Sequence, residues 1–223
     1  APAATELAAV PPPHTVTQLG EPPAEATVPA DVPKIDGENG AAKGPVRIAI
    51  ILDDGGNNRG HSESVLVLDS RLTLAILPHT PYGRETAEEA ARLGFEVMLH
   101  MPMENDSKAE DPGPGKVLTS MSKKEIQWGI REALASLVAV KGVNNHTGST
   151  FTSNKRAMRA VLEVLKEQSL FFIDSWTTSE TIAYDLAREL GVPTAHRDVF
   201  LDHDRTASAI RRQFDALLAI ADR

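Results

Sequence analysis

The sequence predicts an α/β domain, barrel-like or doubly wound, beginning at Val46 and running to Arg223. Three observations predict it. From Val46 onward short apolar runs alternate with segments of helical period, the pattern of βα units on a mainly parallel sheet. The helical segments carry single apolar stripes, as helices that cover such a sheet must. No internal repeat interrupts the alternation, so the units belong to one domain rather than an array.

The strands expected, in order, are "VRIAIIL" (46–52), "LTLAIL" (72–77), "FEVML" (95–99), "KGVN" (141–144), "LFFI" (170–173) and "RDVFL" (197–201). Among the intervening helices, Ile126, Ile130, Leu134, Leu137 and Val138 form one stripe near 3.6-residue spacing. Met158, Val161, Leu162 and Leu165 form a second, and Ile210, Phe214, Leu217 and Leu218 a third. All three stripes read as core. A closed barrel needs at least one strand beyond the sixth helix, where this chain stops, so the expectation is an open barrel or one trimmed of its last strand.

With 223 residues, 41% of them hydrophobic, the chain is long enough for one substantial core. Its net charge of −8 gives no electrostatic footing for nucleic acid, whose binding depends on clustered Lys and Arg facing phosphates. There is no cysteine, which excludes a disulfide framework and thiolate metal sites and leaves His, Asp and Glu as metal ligands. No run approaches the roughly 20 apolar residues that span a bilayer. Residues 1–45 are rich in Ala and Pro, with "VPPPH" and "GEPPAEATVPADVP", and read as a linker or disordered tail acting as a spacer. The chain begins with Ala rather than Met, so an export signal or membrane anchor is expected to have preceded it.

Ligands of parallel α/β folds bind beyond the carboxyl ends of the strands. After the first expected strand comes Asp53-Asp54-Gly55-Gly56, after the second His79, after the third His100 and Glu104. The fourth is followed by Asn145-His146, the fifth by Asp174, Ser175 and Trp176, and the sixth by Asp202-His203-Asp204. Turn and cap preferences account for much of the Asp, Asn, Ser and Thr. They do not account for four of seven histidines at strand exits. His100, His146 and one carboxylate of the Asp53-Asp54 pair have the composition of a cysteine-free catalytic zinc site with one open position, the other carboxylate taking a proton from the attacking water. Gly55-Gly56 would let the backbone turn so that both carboxylates face one cavity.

The segments "IAIILDDGGNN", "LTLAILPHTP", "GFEVMLHMPME", "GVNNHTGSTFT", "LFFIDSWTT" and "VPTAHRDVFLD", in this order, closely resemble the divergent polysaccharide deacetylase family of bacterial envelope proteins. The resemblance covers everything but the Pro-rich tail. It implies a distorted (β/α) barrel of the polysaccharide-deacetylase type, a divalent metal, most simply Zn, and hydrolysis of N-acetyl groups on an amino-sugar polymer such as peptidoglycan. The implied location is the periplasm or cell envelope, with the membrane reached only through an N-terminal anchor. In the wider superfamily the first Asp of a DDG motif is the base and the second a metal ligand, here Asp53 and Asp54. The superfamily's second His after the third strand is replaced by Glu104, which makes His146 the expected third ligand and Glu104 an alternative one, with Asp174 in support. His203 or His79 is expected to protonate the leaving amine, Asn145 to lie against substrate, and Trp176 to stack on a sugar face. The Glu104 replacement also motivates a second expectation, a catalytically silent protein that keeps the fold and binds glycan or serves as an envelope scaffold.

Overall fold

The structure is a computed structural model that describes residues 47–107 and 110–222; the expected tail at 1–45 lies outside the described residues. Six strands alternate with six helices: β1 (Ile51–Gly55), α1 (Arg59–Leu66), β2 (Thr73–Ile76), α2 (Gly83–Leu93), β3 (Glu96–Met103), α3 (Lys123–Ala135), β4 (Val140–Thr147), α4 (Lys155–Glu167), β5 (Phe171–Asp174), α5 (Ala183–Leu190), β6 (Thr194–His196) and α6 (Ala207–Ala221). The strands form one parallel sheet in the order β1-β2-β3-β4-β5-β6. A doubly wound sheet reverses its order at a switch point, whereas this one advances by one strand at every crossover, which is the winding of a barrel. Among the described residues β1 and β6 remain its two edges, so the barrel is open, as the sequence led us to expect.

Local chemistry starts and stops the helices where the sequence says it should. Asn58, Ser122, Asn154 and Thr206 each cap a helix by accepting from a backbone amide three residues on, and Ser122 with Glu125 forms a reciprocal capping box. Gly94 and Gly191 end α2 and α5 in the left-handed conformation. Beneath them lies a core dominated by α4, which buries Met158, Val161, Leu162, Val164 and Leu165 against Phe151 and Phe172. Gly142 makes room in β4: a Cβ there would run into the Phe171 ring, which would have to move.

Two expectations need correction. The α6 stripe is not core: Phe214 is 38% and Leu218 40% exposed, and only Ala209 on this helix is buried. Helical period sets which residues share a face, but no described element covers this one. The last strand also sits earlier than "RDVFL". β5 ends at Asp174, opposite His196; the Arg197 amide still donates to the Asp174 carbonyl, and beyond that Arg197 donates from its side chain to the Ser175 and Trp176 carbonyls.

Other strand limits differ in a way that bears on function. β1 starts later than expected and carries both aspartates, while β3 and β4 run to Met103 and Thr147. His100 and His146 therefore lie within strands, not beyond them. Polar residues at these positions look like strand ends in a sequence; here each has a partner that makes its burial tolerable.

Candidate metal centre

Parallel registration builds the site. His100 on β3 is directly opposite Asn144 on β4, and Pro102 is opposite His146. Alternation along a strand puts Asn144 and His146 on one face of β4, and β1 brings Asp53 and Asp54 to the same place. At Asp54 the backbone turns left-handed, with φ of 63°, so the reorientation expected of Gly55-Gly56 begins one residue earlier. The result is that the two adjacent carboxylates flank one imidazole: Asp53 Oδ1 is 3.6 Å from His100 Nδ1, and Asp54 Oδ1 is 3.5 Å from His100 Nε2.

His100 is 3% exposed. Its Nδ1 lies 2.8 Å from Asn144 Oδ1 and its Nε2 3.0 Å from His146 Nδ1; His146 Nδ1 is in turn 3.2 Å from Asp54 Oδ1. Three donor atoms thus form a triangle with edges of 3.0, 3.2 and 3.5 Å. Ligands held tetrahedrally at 2.0–2.2 Å from zinc stand about 3.3 Å apart, so Asp54, His100 and His146 fit one face of such a site. Asp54 and His146 are the more exposed of the three, and that side is open to solvent. Hydrogen bonding to His100, then to His146, holds the Asp54 carboxyl far below the usual carboxylate range. Burial pushes the His100 pKa down, but its hydrogen bond to Asp54 and the charge of Asp53 outweigh that and leave it raised.

The remaining expected residues are distributed differently. Glu104 stays with the β3–α3 connection, where its carboxylate accepts from the Thr119 amide and hydroxyl at 2.6 Å each. Asp174 is fully buried and organises the loop after β5, accepting from the Trp176 and Tyr184 amides and the Thr181 hydroxyl. Asn145 is 1% exposed, and its amide is spent on the Ser175 amide and the Thr147 carbonyl. His79 is exposed and close against Gly115, where a Cβ would meet its ring at 2.7 Å. His203 is exposed, well past the end of β6, with its ring 6.2 Å from that of Phe200. Trp176 is 39% exposed and its ring lies 4.8 Å from that of His196.

Two features were not anticipated. Asn144, taken for a strand residue, connects the centre's parts. Asp54, His79, Thr147 and Trp176 all have positive φ, a conformation costly for residues with a Cβ, and they lie at or within three residues of the ends of β1, β2, β4 and β5. Sequence carries no direct sign of such strain in residues other than glycine.

Comparisons with known proteins agree on the fold. A solved structure of an uncharacterized protein from Agrobacterium tumefaciens C58 superposes with a TM-score of 0.77 at 24% identity, over 83% of this chain and 76% of that one. A putative cellobiose-phosphate cleavage protein from Enterococcus faecalis V583 does so with a TM-score of 0.56 at 15% identity, over 80% and 76%. In sequence, the uncharacterized protein YibQ of Escherichia coli K12 is 36% identical over 79% of this chain and 55% of its own length. An uncharacterized protein of Haemophilus influenzae is 32% identical over 78% and 62%. The chain therefore spans little more than half the length of these relatives. Residues 50–223, which hold all six strands and the whole Asp-His-His cluster, match the family described as divergent polysaccharide deacetylase, and the chain belongs to that family.

Proposed function

We propose that this domain is a metal-dependent hydrolase that removes N-acetyl groups from an amino-sugar polymer of the cell envelope. The observation that carries the reading is the meeting of Asp54, His100 and His146 donor atoms from three strands within 4.8 Å of one another, with the Asp53 carboxylate alongside. Bound there, a divalent ion such as zinc supplies Lewis-acid activation of the acetamide carbonyl and of the attacking water. Asp53, 38% exposed at its side chain, takes the proton from that water, and protonation of the departing amine by His203 or His79 belongs to the same proposal. The burial of His100 fixes one ligand, while the exposed side of Asp54 and His146 faces the polymer.

Membership in the family supports the substrate class. The envelope location, with export or anchoring through an N-terminal segment, belongs to the same proposal; among the described residues no helix is long and apolar enough to cross a membrane. The test is elemental analysis of purified protein together with acetate release from N-acetylated glycans, for the parent chain and for Asp54→Ala and His146→Ala. Bound ion and released acetate, both lost in the two variants, are expected. A protein with no bound ion, or variants indistinguishable from the parent, would refute it. The Glu at position 104, where the wider superfamily carries a ligand His, favours one second reading: ion retained and peptidoglycan bound saturably, with no acetate released, would identify a glycan-binding protein that has lost turnover.

A further inference from the structure

We propose that Asn144 is a positioning residue that sets the tautomer of His100 and the orientation of Asp53 with a single amide. The inference rests on the metal-centred reading of the site for its affinity readout, and on geometry alone for its spectroscopic one.

Asn144 is 2% exposed, too deep to meet a polymer, and both ends of its side chain are occupied. Nδ2 donates to Asp53 Oδ1 at 2.9 Å, and Oδ1 lies 2.8 Å from His100 Nδ1. Amide oxygen and nitrogen are alike in shape, so which end faces which neighbour follows from the partners. Asp53 ionised is an acceptor only. The reversed amide would set oxygen against carboxylate oxygen at 2.9 Å, so the NH2 group must face Asp53 and the carbonyl must face His100. A carbonyl accepts only, so the amide favours the Nδ1–H form of neutral His100, against the pull of the Asp54 carboxylate on a proton at Nε2. Its Nε2 then carries the lone pair, and Nε2 is the atom aimed at Asp54 and His146.

The consequence is a chain of fixed orientation from base to ligand: Asp53 orients the amide, the amide chooses the tautomer, and the tautomer presents a ligand atom. It also leaves Asp53 Oδ2 as the oxygen for proton transfer, because Oδ1 is engaged. Metal-ligating histidines generally have such a partner on the other ring nitrogen, and losing it costs 10–100-fold in affinity. Asn144 differs from a simple partner in that its own direction is dictated by the catalytic carboxylate.

The experiment combines nitrogen-15 NMR of the histidine rings in metal-free protein, at a pH where the imidazoles are neutral, with calorimetric titration of Zn²⁺. Three chains are compared: the parent, Asn144→Leu and Asn144→Asp. The parent is expected to show His100 as the Nδ1–H form. Asn144→Leu, close in shape but unable to accept, is expected to lose that preference and about 10–100-fold in Zn²⁺ affinity. Asn144→Asp keeps an acceptor on Nδ1 but sets a carboxylate oxygen against Asp53 Oδ1, so it is expected to recover the tautomer and to lose the orientation of Asp53. An Nε2–H tautomer in the parent, or an Asn144→Leu chain with parental tautomer and affinity, overturns the proposal. Should Asn144→Leu fail to fold, the tautomers of the parent and of Asn144→Asp still decide it. Should the parent bind no Zn²⁺ at all, the proposed function fails, while the tautomer in metal-free protein continues to test Asn144.

Discussion

The β3–β4 pair and α6 show opposite relations between sequence and environment. β3 and β4 hold polar side chains, His100, Asn144 and Asn145, at 3% exposure or less, each supplied with hydrogen-bond partners. α6 holds apolar side chains, Phe214, Leu218 and Ile220, at 38–44% exposure. Residue type predicts neither. What decides burial is whether a neighbouring element is there to cover a face, and what decides whether a polar group tolerates it is whether each of its atoms is paired. The sheet centre meets both conditions and can therefore carry a preorganised cluster; the last helix meets neither and contributes little to it.

The largest expected effect sharpens that contrast. His100→Ala or His146→Ala removes a donor from the triangle and should lower divalent-ion affinity by more than the roughly 10–100-fold that follows loss of a supporting group, read by calorimetric titration. Leu218→Ala should leave that affinity unchanged. Equal losses would mean that α6 takes part in the site after all.

Stability draws the same line. Leu162, fully buried under the sheet, should cost about 2–5 kcal/mol when cut to Ala, the range for core leucines. Leu218→Ala on α6 should cost less than Leu162→Ala, since at 40% exposure less apolar surface is removed from water there. Urea unfolding of both variants checks this, and a matching cost at Leu218 would mean that its face is covered in solution.

How far the sequence revealed the molecule follows the same physics. Alternating periods and caps such as Ser122-x-x-Glu125 announced the βα order, because those signals are local. The strand limits were less visible: β3 and β4 continue through His100 and His146 because partners across the sheet accommodate them, and a partner 44 or 46 residues away leaves no local trace. Asp54, His100 and His146 were legible as a set from chemistry and from family resemblance. Asn144 was not, since as the last residue of the expected strand 141–144 it reads as part of the sheet. Asp174 and Asn145 were read as site residues because they flank strand exits; Asn145 pairs with two backbone groups, and Asp174 with two backbone amides and the Thr181 hydroxyl, partners that no local pattern announces.

Proton competition gives a prediction of intermediate size. Ligation needs neutral imidazole, and His100 in metal-free protein has its pKa raised above the ordinary 6.5, through Asp54, Asp53 and Asn144 acting against the lowering effect of burial. A raised pKa means that a proton occupies the ring until higher pH, so Zn²⁺ affinity should keep rising as pH increases past 6.5 rather than level off there. Asp54, held far below the usual carboxylate range, stays ionised throughout and adds no slope near neutrality. Titrations at several pH values test the sign; an affinity flat from pH 6.5 upward would mean that the carboxylates do not hold a proton on His100.

The smallest effect concerns Glu104, the position where the superfamily pattern breaks. Its Oε2 is bound to the Thr119 amide and hydroxyl, so its carboxylate is engaged in holding the β3–α3 connection rather than an ion. Glu104→Gln keeps an acceptor of similar reach but removes the charge, and hydrogen bonds to charged groups exceed neutral ones by about 1 kcal/mol. The expected outcome is therefore a loss of that order in unfolding free energy, with Zn²⁺ affinity unaltered. A fall in affinity of tenfold or more would show Glu104 swinging away from Thr119 to ligate, and would restore to β3 the pair of ligands that His146 is here taken to replace from β4. The two outcomes differ in which strand completes the triangle, and a single substitution separates them.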